Sequence, residues 1–319
     1  MIQIEHLTKY YGDHLAVEDL SFEIESGHIY GFLGPNGAGK STTMNIITGC
    51  LSATSGTVRI DGHDIFEEPN AAKRCIGYLP EHPPLYMSET PLEYLTFVGQ
   101  AKGLRGTALS SQIESVVQKT GIAGVKNRRI STLSKGYKQR VGIAQALLGN
   151  PKVIILDEPT VGLDPIQIIE IRDLIKTLGK THTVIFSSHI LSEVQTICDR
   201  IVMIAHGKLV ALGEPETLQK QLLTDGEILL TTDASQEQVR QALSGLEGLS
   251  ALEFTRGESN LTVAHIKTGS GDMNGISRDV SQRLAREGLA IYEMSQKKGS
   301  LEDIFLELSE EKETEADTK

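Results

Sequence analysis

The sequence predicts an α/β core with an antiparallel β subdomain and a helical insertion, followed by a small C-terminal α+β domain. The first observation is a glycine-rich segment, residues 34–41, between a short apolar strand and a helix. The second is an apolar strand at 153–156 that ends in two carboxylates, as expected in a parallel sheet covered on both faces. The third is a βαββαβ order after residue 226. We therefore predict domains at 1–222 and 226–309.

Short β-rich runs precede the glycine-rich segment. Residues 2–4, 20–24 and 29–33 are rich in Ile, Leu and Phe and predict strands. The glycine-rich loop follows the last of these strands, and residues 41–48 have the pattern of a helix. This strand–loop–helix order is the context that a phosphate-binding loop requires. Residues 56–66 add a hairpin-like β segment.

From about residue 83 to 150 the pattern changes from strands to helices. Apolar residues recur at helical spacing, which predicts helices over 91–101, 107–120 and 138–148. Strands and helices then alternate, with strands expected at 183–186 and 200–205 and helices at 166–178, 191–198 and 216–223. The core is therefore predicted to be interrupted by a helical subdomain and to end near residue 222.

The second domain is predicted from its element order alone. Strands are expected at 228–232, 251–256, 260–267 and 289–295, and helices at 235–244 and 275–287. This order is typical of a ferredoxin-like βαββαβ sandwich. A short amphipathic helix is expected at 300–308, and the acidic, polar residues 310–319 predict a disordered tail.

Composition excludes several function classes. The chain has 319 residues and a net charge of −11, so we expect no nucleic-acid partner, because such binding needs a basic surface. The sequence contains no apolar run of about 18 residues, so no membrane span is predicted. The N-terminus lacks the pattern of a signal peptide. The cysteines, Cys50, Cys75 and Cys198, are far apart and are expected to be reduced thiols in a cytosolic protein.

The glycine-rich segment matches the phosphate-loop pattern GxxxxGK[ST] in full. It consists of Gly34, Pro35, Asn36, Gly37, Ala38, Gly39, Lys40 and Ser41. Glycines let backbone amides close around a phosphate without a Cβ in the way. Lys40 is expected to reach the β- and γ-phosphates, and Ser41 to ligate Mg²⁺ with Thr42 nearby. The alternative is a glycine-rich turn with no ligand.

Two carboxylates end the apolar strand at 153–156. Ligands of open α/β sheets bind at the carboxyl ends of the strands, so this end is expected to lie beside the phosphate loop. Asp157 would then hold Mg²⁺, directly or through water. Glu158 follows it, and the alternative for both residues is an acidic strand end that is merely solvated.

Three further motifs follow in a fixed order. Residues 134–137 read Ser-Lys-Gly-Tyr at the start of a helix, residues 162–165 read Gly-Leu-Asp-Pro, and residues 187–189 read Ser-Ser-His. With the phosphate loop and the acidic pair, they resemble the motifs of ABC transporter ATP-binding subunits over residues 1–220. The resemblance implies a P-loop NTPase (ABC ATPase) core. Residues 134–137 correspond to the signature of that family. This signature, the Leu-Pro-Glu loop at 79–81 and residues 300–305 look most like the ABC-2 exporter-type branch, including gliding-motility-associated and multidrug-type ATPases.

The resemblance implies roles for residues around one ATP. Tyr11 would stack on adenine, and Glu158 would orient and deprotonate the attacking water. His189 would contact the γ-phosphate and polarise the transition state. Glu81 stands where the family usually has glutamine; we expect it to ligate Mg²⁺ through one oxygen, although it cannot donate an amide hydrogen bond.

The resemblance also implies a dimer with two composite sites. Ser134 and Gly136, at a helix N-terminus, would bind the γ-phosphate of the other subunit's ATP, and Asp164 belongs to the adjoining D-loop pattern. Lys135 and Tyr137 depart from the usual Ser-Gly-Gly-Gln. A variant of this kind is common in one branch of the family, so it does not by itself indicate an inactive site.

The leading hypothesis is the ATP-hydrolysing subunit of an exporter. It would pair with itself or a paralogous ATPase and drive a separate ABC-2-type transmembrane permease, so it would be cytoplasmic and peripheral on the inner face of the membrane. The alternative is a soluble ABC-type ATPase that acts on the ribosome or another macromolecule. A phosphate-loop kinase or GTPase would leave the signature unexplained. The transported substrate is not predictable, because its pathway lies in another chain.

Overall fold

The computed structural model describes residues 1–222, 226–256, 261–269 and 273–298. These fall into two compact units, residues 1–215 and a second that begins at Glu216. Among the described residues, no helix is both long enough and apolar enough to cross a membrane.

The first unit alternates strands and helices along most of its length. Its strands are β1 (Ile2–Tyr11), β2 (His14–Ile24), β3 (Ile29–Leu33), β4 (Ser55–Ile60), β5 (His63–Asp64), β6 (Ile76–Leu79), β7 (Val153–Leu156), β8 (Thr183–Ser188), β9 (Arg200–Ala205) and β10 (Lys208–Gly213). Its helices are α1 (Lys40–Ile47), α2 (Pro69–Arg74), α3 (Pro91–Ala101), α4 (Gly106–Lys119), α5 (Lys135–Leu147), α6 (Pro165–Gly179) and α7 (Leu191–Ile197). Helix α8 (Pro215–Leu222) spans the division between the units.

A six-stranded sheet forms the centre of this unit. Its strand order is β10-β9-β3-β8-β7-β6, with β3, β6, β7, β8 and β9 parallel and β10 antiparallel to β9. Every residue of β3, β7 and β8 is buried, which explains why these strands are apolar on both faces. Their carboxyl ends lie at one edge of the sheet, and all three motif-bearing loops leave from that edge.

An antiparallel sheet of order β2-β1-β4-β5 forms the β subdomain. Its alternate apolar residues, including Ile2, Ile4 and Val58, share one core cluster with Met44 of α1 and Val153 of β7. Helix α1 and the phosphate loop before it are therefore anchored to both sheets through that core.

Helices α3, α4 and α5 form the helical insertion. Helix α3 begins with a capping box, in which Thr90 accepts from the Glu93 amide and the Glu93 side chain accepts from the Thr90 amide. Helix α4 buries Leu109, Ile113 and Val116, the spacing that an amphipathic helix requires. The insertion therefore has its own small apolar contact layer.

Some elements differ from the sequence expectation. Strand β6 was not among the expected elements. A Cβ at Gly77 would overlap the Ala146 carbonyl, so glycine allows α5 to pack on β6. Helix α2 and strand β10 were not expected either. Helix α5 begins three residues earlier than expected, because Ser134 caps it by accepting from the Tyr137 amide.

Besides most of α8, the described part of the second unit contains a four-stranded antiparallel sheet with two helices. In chain order the elements are β11 (Gly226–Thr232), α9 (Gln236–Ala242), β12 (Leu249–Arg256), β13 (Thr262–Thr268), α10 (Met273–Arg286) and β14 (Glu293–Lys298), and the strand order is β12-β13-β11-β14. Ile228, Leu230 and Ile266 line its core with Val239 and Val280 from the helices.

The last strand is a correction. It was expected at 289–295, but β14 begins at Glu293. The apolar residues Leu289 and Ile291 pack on the core from the segment that leads into β14, so they imitate a strand pattern. Asn260, where β13 was expected to start, lies outside the described residues, as do the amphipathic helix at 300–308 and the tail at 310–319.

Candidate functional site

The phosphate loop connects β3 to α1. Gly37 and Gly39 have φ values of 76° and 101°, the left-handed region that glycine adopts without steric cost. At Gly39 a Cβ would also lie 2.8 Å from the Ala16 carbonyl oxygen. The loop therefore turns tightly into the N-terminus of α1, where unpaired amides favour an anion.

Lys40 is buried beneath this loop, with 5% of its surface exposed. Its ammonium donates to the carbonyl oxygens of Gly34 at 2.7 Å and Pro35 at 3.2 Å. The same nitrogen lies 3.9 Å from Oε1 of Glu158. The expected phosphate-binding cation and the expected catalytic carboxylate thus lie at one place.

Asp157 is held by hydroxyl groups from two sides. Its Oδ1 accepts from Ser187 Oγ at 2.6 Å and from Ser41 Oγ at 3.3 Å. Burial raises the pKa of this carboxyl, the two hydroxyl donors lower it, and the negative charge of Glu81 raises it further. A cation bound here would favour the ionised form.

Glu158 is buried and points between a cation and an imidazole. Its Oε2 is 3.0 Å from His189 Nδ1, while Oε1 faces Lys40. Its amide donates to Ser187 Oγ at 2.8 Å. The His189 side chain is 40% exposed, whereas that of Glu158 is buried. The Glu158–His189 pair therefore extends from the protein interior to the solvent-exposed surface.

A cleft of about 450 Å³ opens over these residues. Ten of the expected site residues line it: Tyr11, Asn36, Gly37, Gly39, Lys40, Ser41, Thr42, Glu81, Glu158 and His189. Three residues that were not expected also line it, His14, Ala16 and Val161. The tertiary structure therefore brings together residues from five separate segments of the chain.

Other expected residues of this group lie just outside the cleft lining. Asp157 contacts it through Ser41, and Gly34 and Pro35 contribute the carbonyls that hold Lys40. Ala38 is 1% exposed and packs in the core cluster. It supports the loop from beneath.

Ser134, Gly136 and Asp164 line a second cleft of about 400 Å³. Ser134 is exposed, and Asp164 caps α6 by accepting from the Gln167 amide at 2.9 Å. Arg140 and Glu170 lie in the same cleft and form an ion pair of 2.7 Å. In the part of the chain that the structure describes, the two clefts share no lining residue.

Sequence reasoning missed the residues that hold the acidic pair in place. Ser187 joins Asp157 and the Glu158 backbone, and the buried Glu193 bonds to Thr160 and Ser188. The two serines directly before His189 were visible in the sequence as small polar residues at a buried strand end. Glu193 gave no such signal, because its partner Thr160 is 33 residues away.

The comparisons with known proteins agree with this geometry. A family model described as ABC transporter matches residues 17–161. The chain is 35% identical to the uncharacterized ABC transporter ATP-binding protein YxlF of Bacillus subtilis (strain 168), over 97% of this chain and 99% of that protein. This chain belongs to the ABC transporter ATP-binding proteins. An ABC ATPase of this family hydrolyses ATP, and the present chain is therefore an ATP-binding subunit and an ATPase.

Two further proteins are similar to this chain. The chain is 37% identical to the linearmycin resistance ATP-binding protein LnrL of Bacillus subtilis (strain 168), over 77% of this chain and 79% of LnrL. A solved structure titled the dimeric structure of MJ0796, a bacterial ABC transporter cassette, superposes with a TM-score of 0.61 and 28% identity. It covers 67% of this chain and 98% of that one. The first unit is thus a P-loop NTPase of mixed α/β sheets.

Proposed function

We propose that this ABC ATPase closes as a dimer around two MgATP and drives a separate ABC-2-type permease that exports its substrate. The observation that carries this proposal is the division of the site between two clefts. One cleft holds Lys40, Glu158 and His189, and the other holds Ser134 and Gly136. In a two-fold dimer, the first cleft of each chain would face the second cleft of its partner, so one dimer would complete two sites.

The first cleft accounts for the chemistry of hydrolysis. Glu158 orients the attacking water and accepts its proton, and Lys40 moves from the Gly34 and Pro35 carbonyls to the phosphates. His189 contacts the γ-phosphate from the side of Glu158. The 3.0 Å contact between His189 and Glu158 supports this assignment, because it places both groups at one reacting centre.

The residues beside Lys40 fit Mg²⁺. Ser41 Oγ and Asp157 Oδ1 are hard oxygen donors 3.3 Å apart, and Glu81 lines the same cleft. Mg²⁺ prefers few protein ligands together with phosphates and water, which suits this small donor set. When bound, the ion would neutralise charge on the phosphates. Ser41, Asp157 and Glu81 would hold it in place.

Tyr11 is the candidate for adenine. It lies at the rim of the cleft with 48% of its surface exposed. Lys9 Nζ lies 5.3 Å from the centre of its ring. One face of a half-exposed aromatic ring can stack on a base, a contact worth about 1–3 kcal/mol.

The second cleft suits the γ-phosphate of a partner's ATP. Ser134 is exposed at the N-terminus of α5, and Asp164 caps α6 beside it. The departure Lys135 adds a cation at the same helix end and packs against Gly162. The partner is a second copy or a paralogous ATPase.

The second unit is proposed to be a ferredoxin-like accessory domain. Its βαββαβ order and its strand order β12-β13-β11-β14 support that assignment. We keep the boundaries 1–222, with the helical subdomain at 83–150, and 226–309, with a tail at 310–319. We prefer a packing or dimer-supporting role over ligand sensing, because the described part of this unit contains no recognisable catalytic or ligand-binding motif.

The permease and the direction of transport rest on relatives. LnrL is described as a resistance protein, and resistance is consistent with export. A subunit that binds such a permease would be cytoplasmic and peripheral on the inner face of the membrane.

A pull-down tests the proposal. The full-length Glu158→Gln variant is incubated with ATP and used as bait in detergent-solubilised membranes of the source cells, with Lys40→Ala as the matched control that cannot close around ATP. We expect the Glu158→Gln bait to recover a polytopic membrane protein in stoichiometric amount, and the Lys40→Ala bait not to recover it. Recovery of ribosomes or of soluble protein only would overturn the transporter assignment.

A further inference from the structure

A buried carboxylate lies behind the catalytic cleft and lines neither cleft. It belongs to Glu193 of α7, whose side chain is 2% exposed. Its Oε2 accepts from Thr160 Oγ1 at 2.8 Å and from Ser188 Oγ at 3.0 Å, and its Oε1 lies 3.3 Å from Arg172 Nη2. A buried charge is retained only where such partners satisfy it.

The partners of Glu193 lie next to the catalytic pair in the chain. Thr160 follows Glu158 by two residues, and Ser188 directly precedes His189. A single carboxylate oxygen therefore ties together the two segments that carry Glu158 and His189. Both hydroxyl donors are buried, Thr160 at 6% exposure and Ser188 at 1%, so water does not compete with these bonds.

The chain at Glu158 needs support on both sides. Ser187 holds the preceding side, through Asp157 and the Glu158 amide. After Glu158, whose φ is 46°, the chain turns back, and the Val161 amide donates to the Glu158 carbonyl at 3.2 Å. A left-handed glutamate persists only where its surroundings hold it. The Thr160–Glu193 bond is the anchor on the following side.

We propose that Glu193 is a positioning residue for ATP hydrolysis. Acting through Thr160 and Ser188, it fixes the Glu158 carboxylate against the His189 imidazole without contacting the nucleotide. The inference rests on the roles proposed above for Glu158 and His189. It predicts that loss of this tie slows the chemical step and leaves ATP binding intact.

The test compares single and double variants of Thr160 and Glu193 in steady-state ATP hydrolysis. Thr160→Val keeps the shape of the side chain and removes its hydroxyl; we expect kcat to fall by about tenfold or more, since a misplacement of about 1 Å can cost about a hundredfold. The KM for ATP should stay within about twofold, because ground-state binding is untouched. Thr160→Ser restores the donor and should restore kcat.

A double-mutant cycle identifies Glu193 as the partner. Glu193→Ala should lower kcat by a smaller factor in the Thr160→Val background than in wild type, because the Thr160 bond is already lost there and only the contacts with Ser188 and Arg172 remain to be removed. If Glu193→Ala does not fold, the Thr160→Val and Thr160→Ser pair still decides. The control is Thr196→Val on the same helix, whose hydroxyl donates only to the Ser192 carbonyl in the described contacts; it should leave kcat unchanged.

Two results would overturn the inference. They are a wild-type kcat in Thr160→Val, and a rise in KM with kcat unchanged. Glu158→Gln is measured alongside: if it still hydrolyses ATP, the proposed function itself fails. If Glu158→Gln is inactive while Thr160→Val is fully active, only the role of Glu193 fails.

Discussion

The backbone at Glu158 is left-handed, with a φ of 46°, although glutamate rarely adopts that region. The conformation brings its carboxylate to Lys40 and His189 instead of continuing the line of β7. A strained residue of this kind costs about 1–3 kcal/mol and is found at sites whose surroundings hold it. At the scale of single residues, the strained backbone of Glu158 lowers stability and directs its carboxylate towards Lys40 and His189.

Replacing Glu158 by glutamine tests that carboxylate. An amide cannot accept the proton of water, so we expect kcat to fall by at least about a hundredfold, the usual contribution of a general base. The affinity for ATP should be retained, because Lys40 and the loop are intact. Phosphate release and equilibrium nucleotide binding measure the two effects. Glu237→Gln, at an exposed position on α9, is the matched control; full activity of Glu158→Gln would contradict the assignment.

The departure at Glu81 is tested by restoring glutamine. Its side chain lines the cleft and its charge raises the pKa of Asp157. Glu81→Gln keeps one oxygen ligand and removes that charge, so hydrolysis should stay within about threefold of wild type. Activity measured across a Mg²⁺ titration checks this. An inactive variant would show that the Glu81 charge itself is required.

At the scale of elements, loops are fixed where helices begin. Ser134 caps α5, Asp164 caps α6 and Thr90 caps α3 with a full capping box. A cap residue fixes the end of its helix and also presents its side chain at an exposed end. For α5 and α6 the capped ends lie together in the second cleft. For α3 the cap serves the stability of the helical insertion.

Removing the α3 cap should loosen that helix locally. Thr90→Ala should cost about 1 kcal/mol of local stability, which corresponds to about fivefold faster amide exchange in residues 91–101. Hydrogen exchange with mass spectrometry measures it. The matched control is Thr96→Ala in the middle of α3, whose hydroxyl donates to the Leu92 carbonyl. Equal effects of both variants would show that the capping box contributes nothing special.

At the scale of the whole molecule, the proposed composite site is divided between two clefts of one chain. The P-loop half lies at the carboxyl edge of the central sheet and the signature half lies at the start of α5. The dimeric cassette to which the first unit is similar shows that this fold can associate in pairs. A dimer that joins unlike halves predicts complementation between variants.

Mixing two inactive variants should restore activity. Lys40→Ala destroys the P-loop half, and Ser134→Arg fills the signature half with a bulky side chain while leaving its own P-loop intact. In a mixed dimer one site has both good halves, so an equal mixture should recover up to about a quarter of wild-type hydrolysis, half of the dimers having one of two sites. ATPase assays of each variant and of the mixture measure it. No recovery in a mixture shown to form heterodimers would contradict composite sites.

The order and type of most elements in the first unit were determined by the sequence. A continuous apolar run such as 153–156 is expected to be buried on both faces, so β7 is predictable from local sequence. Glycine adopts positive φ without steric cost, as Gly37 and Gly39 do, so the phosphate loop is predictable as well. Strand β6 could not be read in the same way. Glycine is required at position 77 by the nearby Ala146 carbonyl of α5, and that contact exists only in the folded chain. Leu289 and Ile291 imitated a strand for the same kind of reason.

The residues of the proposed site could be named from their motifs, but their arrangement was decided by tertiary structure. Glu158 lies within 4 Å of both Lys40 and His189 because β8 lies between β3 and β7 in one parallel sheet. Glu193 belongs to no sequence motif. Its proposed role depends on hydrogen bonds from Thr160 and Ser188, which lie on two other segments of the chain. Local sequence sets backbone preference and burial, whereas a buried charge network exists only once the chain has packed.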